Sequence, residues 1–248
     1  MLLLDKVAII TGARQGIGSA VAVAMARDGA NLVLVSRSIT ENDEVVTMIK
    51  SLGRQVLISQ IDVSDRQAVQ KMVDAALGEF GHIDILFNNA GISKPAMLWK
   101  MTEEQWDQVI NVNLKGTFNC MQAVAKPMME QKRGVIINVT SSAGLLGTVG
   151  QVNYTAAKGA VYAMTKSAAK ELAKYGITVN CIAPMAVTEM TKTIATDERF
   201  RNKYLERIPL GRFANPEEIG PAVVFLASDQ AGYITGQTIC IDGGMVML

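Results

Sequence analysis

Three side chains in the second half of the chain have the types and spacing to move a proton beside a carbonyl or alcohol carbon. Tyr154 and Lys158 are four residues apart near the start of a predicted helix, Val152–Tyr175, so both project from one face. A phenol titrating near ~10 is a poor acid–base group at neutral pH. A neighbouring ammonium favours the phenolate and is expected to lower that value. Ser141 lies 13 residues before Tyr154, behind a predicted strand. Its hydroxyl is suited to polarise a substrate oxygen, as donors do at a developing alkoxide. Such a trio manages an oxygen and its proton and leaves the electron pair to another group.

A place for that group stands at the other end of the chain. Thr11-Gly12-Ala13-Arg14-Gln15-Gly16-Ile17-Gly18 follows the first apolar run and opens the first helical stretch. A helix N-terminus presents unpaired N–H groups and a positive dipole end, which suits a pyrophosphate. Gly12 permits the tight turn, Gly16 lets phosphate approach the backbone, and Gly18 lets helix and strand pack closely. Arg14, Gln15 and Ile17 belong to the same turn. Its position at the first strand-to-helix junction makes the motif specific.

The second predicted strand should end at the adenosine ribose. An acidic residue there would bind the 2′-hydroxyl of NAD, but none is present through Ile39. Ser36 and Arg37 stand in its place, and a guanidinium suits a 2′-phosphate. NADP(H) is therefore expected over NAD(H), with Arg14 as a second positive contact; the alternative is a solvated Arg37. Asp62, followed by Val63, either accepts from the adenine amino group or caps a turn.

The elements that must position these groups alternate. Seven strand candidates are Val7–Thr11, Asn31–Val35, Gln55–Gln60, Ile83–Asn88, Val135–Val139, Ile177–Ile182 and Thr238–Ile241. Helical stretches lie between them at Gly16–Asp28, Glu41–Leu52, Asp65–Phe80, Thr102–Gln131, Val152–Tyr175 and Pro216–Ser228. This predicts an α/β fold, a parallel sheet with helices on both faces, in one domain over residues 1–248. The strands read as continuous apolar runs, as strands covered on both faces do. Gly29, Gly53, Gly81, Gly134 and Gly176 sit where helix ends and turns need positive φ. The segment Pro184–Arg212 is long for a connection and reads as a binding loop or helical lid.

Composition removes other classes. With 24 basic and 23 acidic residues the chain has no charge excess to draw nucleic acid or an anionic membrane. Its longest apolar runs, Ala20–Ala26 and Ala222–Ala227, are too short to span a bilayer, and Met1–Lys6 does not read as a signal peptide. A cytoplasmic protein is expected. Cys120, Cys181 and Cys240 are odd in number without CxxC spacing, and His82 has no Cys or His neighbour. Neither a disulfide nor a metal site is expected.

Taken together, the motifs resemble a short-chain dehydrogenase/reductase of the classical type, over essentially the whole chain. The matching pieces are Thr11–Gly18, Asp62, Asn88-Asn89-Ala90-Gly91, Asn113, Ser141, Tyr154 with Lys158, and the tail Ile234-Thr-Gly-Gln…Ile241-Asp-Gly-Gly244. The resemblance implies a doubly wound Rossmann fold of seven strands. It also implies that Ser141 and Tyr154 bind the reacting oxygen, that Lys158 orients the nicotinamide ribose, and that Asn113 holds a water linking Lys158 to solvent. Asn88–Gly91 would brace the central sheet, with Asn89, Ala90 and Gly91 on the cofactor side. After the sixth strand the family reads Pro-Gly, whereas this chain has Pro184-Met185. Val187 and Thr188 would still contact the nicotinamide amide and the phosphate.

The expected reaction transfers a hydride between the nicotinamide and a carbonyl or secondary alcohol. The resemblance points to reduction of 3-oxoacyl thioesters carried on acyl carrier protein or CoA. Alcohol, alicyclic or sugar dehydrogenases and a non-catalytic nucleotide-binding regulator are the alternatives. Met97, Trp99, Leu145, Leu146, Val149, Met185, Met190 and Met245 either line an apolar pocket or fill core gaps. The family resemblance further implies a homotetramer built on helices around Glu104–Met129 and Tyr154–Lys174, with the tail Met245–Leu248 at another contact.

Overall fold

A computed structural model, which describes residues 1–247, places all the expected strands in one parallel sheet. In chain order they are β1 (Val7–Thr11), β2 (Asn31–Val35), β3 (Val56–Ser59), β4 (Ile85–Asn88), β5 (Gly134–Val139), β6 (Ile177–Pro184) and β7 (Thr238–Ile241). Their order across the sheet is β3-β2-β1-β4-β5-β6-β7. The expected doubly wound α/β fold is what the chain adopts.

The apolar runs explain the sheet. Successive side chains of a strand point to opposite faces, so a strand covered on both sides must be apolar at every position. In β1, Ile10 joins Leu32, Leu34 and Phe87 beneath helices α1 (Gly16–Arg27) and α2 (Glu44–Ser51). Its neighbour Ile9 joins Val33, Leu86 and Ile136 under α3 (Arg66–Phe80) on the other face. That second face also carries α5 (Gly116–Gln131) and α7 (Val152–Leu172), and α4 (Glu103–Ile110) and the five-residue α6 (Ser142–Leu146) pack against α7. The long connection after β6 holds α8 (Lys192–Thr196) and α9 (Glu198–Leu205), and α10 (Gly220–Ala227) returns to pack on α1.

Two expectations need correction. The stretch Thr102–Gln131 is not one regular helix. Thr102 caps α4 by a reciprocal pair with Gln105, and Asn111–Lys115 forms a wide π turn before α5. The cause is Asn113, whose Nδ2 donates to the carbonyls of Val109 and Ile92, both at 2.9 Å. A side chain inserted into the backbone ladder widens a helix at that point. Gly134 is likewise no helix cap. Lys132 takes the left-handed conformation (φ 55°), while Gly134 opens β5 where a Cβ would meet the Met128 side chain.

Cys120 and Cys181 are buried as small apolar residues, and Cys240 is partly so. Among the described residues no helix is long and apolar enough to cross a membrane. Of the tail Met245–Leu248, Val246 is buried and Met247 exposed, and Leu248 lies outside the described residues.

Candidate active site

The cleft lies at the C-terminal ends of the central strands, where the chain's crossovers part on either side of β1 and β4. It is open, with a volume of about 410 Å³. At its floor, α1 begins on Gln15 without any side-chain cap, which leaves first-turn N–H groups open to an anion. Gly12 has φ 67°, and a Cβ there would stand 2.8 Å from Asn89 Nδ2. A Cβ on Gly18 would run into the Gly12 carbonyl oxygen. Gly16, at φ 60°, faces Thr188. The turn is tied to β4 from below. Thr11 Oγ1 accepts from the N–H groups of Asn89 and Ala90 at 3.0 Å, and Asn89 Nδ2 donates to the carbonyls of Thr11 and Gly12. A dinucleotide fits these residues, because glycine leaves a cradle that a Cβ would fill beside an uncapped helix start.

At the adenosine end, Ser36 and Arg37 line the cleft. The Arg37 side chain is 67% exposed, with Asp62 Oδ2 no nearer than 3.9 Å. Asp62 spends its other oxygen on its own turn: Oδ1 accepts from Ser64 N–H at 2.9 Å and Ser64 Oγ at 2.7 Å. Arg14 also lines the cleft, but its charge is already matched. Its Nε donates to Asp43 at 3.0 Å and a terminal nitrogen to Ser38 at 3.2 Å. The Thr40 N–H and the Arg14 guanidinium hold the Asp43 carboxyl below the usual carboxylate range. Arg37 is therefore the freer cation of the two.

The catalytic end is built by β5, α6 and α7. Ser141 ends the turn after β5 and caps α6, its Oγ accepting from Ala143 N–H at 3.2 Å. That contact leaves the Ser141 proton free to donate. Lys158 is buried, and its Nζ donates to the Val139 carbonyl at 2.8 Å while lying 5.8 Å from the centre of the Tyr154 ring. Burial pulls its ammonium down to about 8, opposed by Cys181. Tyr154 departs from expectation. Burial raises its phenol above the usual value, and Ser141 works the other way. Loss of water outweighs any help from Lys158, because solvation is what the phenolate forfeits first.

Asn113 is wholly buried beside this group. Both its amide protons are used within the protein, and its Oδ1 accepts from Ile92 N–H at 3.3 Å. Gly91 packs so closely here that a Cβ would stand 2.5 Å from Asn113 Oδ1. Asn88 acts as the expected brace, donating to Asn138 Oδ1 at 2.9 Å, and Asn138 in turn donates to Thr165 Oγ1 on α7 at 3.0 Å.

A family model described as Enoyl-(Acyl carrier protein) reductase matches residues 12–246. The protein of Thermotoga maritima called 3-oxoacyl-(acyl-carrier-protein) reductase FabG is 45% identical over 248 residues, all of both chains. That of Staphylococcus epidermidis RP62A, under the same name, is 44% identical over 98% of this chain and 100% of its own. A crystal structure described as a short-chain alcohol dehydrogenase from Sinorhizobium meliloti 1021 superposes with a TM-score of 0.94 at 37% identity, covering 98% of this chain and 97% of that one. The chain belongs to the short-chain dehydrogenase/reductase family. It is an oxidoreductase that works with a nicotinamide cofactor.

Most of the residues that the sequence singled out meet in this short-chain dehydrogenase/reductase cleft. Gly12, Arg14, Gln15, Gly16, Ile17, Ser36, Arg37, Asp62, Val63, Asn89, Ala90, Gly91, Ser141, Tyr154, Lys158, Pro184 and Thr188 all line it. Gly18, Asn113 and Val187 do not. Gly18 and Asn113 sit just behind the wall, and the Val187 N–H is already donated to the Ala214 carbonyl at 2.9 Å. Of the apolar candidates, Met185 and Met190 face the cleft, while Trp99, Leu146 and Val149 are exposed. Thr140 escaped sequence reasoning, and Thr11 was read only as the start of the glycine motif, not for its hydroxyl. Thr11 ends β1 and Thr140 directly follows β5, and such a hydroxyl must find a partner once buried; Thr140 Oγ1 donates to the Lys158 carbonyl at 2.7 Å.

Proposed function

We propose that this enzyme uses NADPH to reduce the keto group of 3-oxoacyl thioesters carried on acyl carrier protein. The observation that carries the reading is that Ser141 and Tyr154 face one another beside buried Lys158, in the same cleft as the glycine turn. Two neighbouring hydroxyls in one cleft suit one oxygen. The names of the FabG relatives supply the substrate class.

A bound reduced nicotinamide supplies the hydride. The chain's own residues do the rest. Ser141 donates its free proton to the carbonyl oxygen and polarises it. Tyr154, kept protonated by its raised phenol value, completes the grip and delivers its proton to the forming alkoxide. Lys158 holds the ribose hydroxyls and restores the phenol proton. Asn113 braces the Gly91–Ile92 backbone next to Lys158, with a water relay passing its oxygens. Ser36 and Arg37 face the 2′-phosphate, Arg14 and Thr188 the pyrophosphate, and Asp62 the adenosine. Met185 and Met190 bound the acyl side beneath α8 and α9, which act as a lid. The subunit works as a homotetramer. A second reading, alcohol oxidation, is favoured by the Sinorhizobium neighbour, and the same residues would run it in reverse.

The test is an absorbance assay of NADPH and NADH in parallel against 3-oxoacyl and enoyl thioesters, with NADP+ and NAD+ run in parallel against secondary alcohols. NADPH-dependent turnover of 3-oxoacyl thioesters is expected. Turnover with NADH alone, or of enoyl or alcohol substrates alone, would reject the proposal. Tyr154→Phe should lower kcat by at least about a hundredfold while leaving nucleotide binding intact; full residual activity would remove Tyr154 from its role.

A further inference from the structure

We infer that Asn153 is a positioning residue for Tyr154, holding the first turn of α7 against the loop after β4 and the start of α4. The inference rests on the reading of Tyr154 as proton donor. A helix leaves its first four N–H groups without intrahelical partners, and a polar side chain at the cap normally takes one. The first turn of α7 contains the phenol, yet its cap residue Gln151 makes no side-chain cap bond. Asn153 does that work from inside the helix. Its Oδ1 accepts from the N–H of Tyr154 itself at 2.7 Å.

The rest of the carboxamide faces outward to other elements. Nδ2 donates to the Lys94 carbonyl at 3.0 Å and the Gln105 carbonyl at 3.1 Å. Gln105 is a rigid anchor, since it forms the reciprocal cap of α4 with Thr102. Lys94 lies in a loop already joined to the α7 approach, where Ala96 N–H donates to the Gly150 carbonyl at 2.9 Å. Asn153 is wholly buried, so water cannot replace any of these bonds. Two carbonyl acceptors on one side and an N–H donor on the other require a neutral amide. A carboxylate would supply the acceptor but neither donor.

The phenol must meet the substrate oxygen within hydrogen-bond reach, and a shift of about 1 Å costs on the order of a hundredfold in rate. Most of the residues assigned to the nucleotide, by contrast, belong to the glycine turn and the end of β2 rather than to the first turn of α7. The side chain should therefore affect kcat and spare nucleotide affinity. The experiment is steady-state kinetics of Asn153→Ala, with the NADPH dissociation constant measured by fluorescence titration and Tyr154→Phe as reference. Expected is a fall in kcat of at least tenfold with a dissociation constant within twofold of the parent. Two results would overturn the inference: a kcat within twofold of the parent, or kcat and nucleotide affinity worsening in proportion, which marks general loosening. Should Asn153→Ala fail to fold, Asn153→Asp keeps the shape and the acceptor, lacks both donors, and carries the same expectation and the same overturning results. If Tyr154→Phe stays fully active the reading of the phenol fails; if it is dead while the Asn153 variants are normal, only this inference fails.

Discussion

At the scale of single residues, burial sets the chemistry of the site. Lys158 is protonated below about 8 and neutral above, because burial disfavours the ammonium. Its neighbours titrate elsewhere: the Tyr154 phenol is raised above its ordinary value and the Cys181 thiol is pushed up to about 11. An alkaline limb near 8 in kcat/KM for NADPH, a parameter that reports the free enzyme, would then belong to Lys158. The expected profile is flat below that point and falls about tenfold per pH unit above it. Lys158→Met should lower the plateau by about a hundredfold and erase the limb. A parent profile without inflection between pH 7 and 9.5 would sink the assignment. Ser141, Tyr154 and Lys158 were legible in the sequence because covalent spacing alone nearly places them. The pairing of Arg14 and the backbone bond of Val187 were not legible, for a common reason. Their partners, Asp43 and Ala214, are distant in sequence, and pairing across such gaps leaves no local pattern.

Between elements, the decisive contact is that of α6 with α7. Ser141 is held at the N-terminus of α6, so where that helix sits fixes where the hydroxyl points. Gly144 lies directly on α7: a Cβ there would stand 2.7 Å from the Lys158 carbonyl carbon and 2.9 Å from the Gly159 nitrogen. Backbone cannot yield as a flexible side chain does, so the added methyl must push the helices apart. Gly144→Ala is expected to cost about 1–3 kcal/mol of stability, the usual range for overpacking. It should also lower kcat by more than it raises the KM for NADPH. Thermal melting and kinetics on one preparation would check both, and a variant with parental melting and kcat would show that α6 adapts freely. The existence of α7 was readable from its periodicity, as the strands were from their apolar runs. The π turn at Asn111–Lys115 was not. It depends on Asn113 reaching the Ile92 carbonyl, a contact made only once α4 lies beside the loop after β4. For the same reason Gly134 was mistaken for a cap. A glycine kept small for Met128 looks identical in sequence to one kept for its φ angle.

Across the whole molecule, the helices that build the site also leave apolar surface on their outer sides. Trp106 on α4 is 39% exposed and Phe118 on α5 is 43% exposed, and the outward positions Ala156 and Ala163 of α7 are exposed as well. Exposed aromatic rings beside small residues are what a close helix-to-helix interface between subunits requires. A homotetramer would bury them, and α5 would then be gripped on both sides. Inward, Asn119 already donates to the carbonyls of Val63 and Ser64 near the adenosine end, at 3.0 and 3.2 Å. The interface would thus lie one helix away from the nucleotide. Light scattering coupled to size exclusion should give about four times the chain mass of 26.7 kDa. Phe118→Glu puts a carboxylate where an apolar contact should form, and burying an unpaired charge is costly enough to split the particle. The expected product is a smaller particle that still binds nucleotide, since the ring does not reach the cleft. A parent chain that elutes as a monomer would end the tetramer reading, and an undisturbed Phe118→Glu tetramer would move the interface off α5.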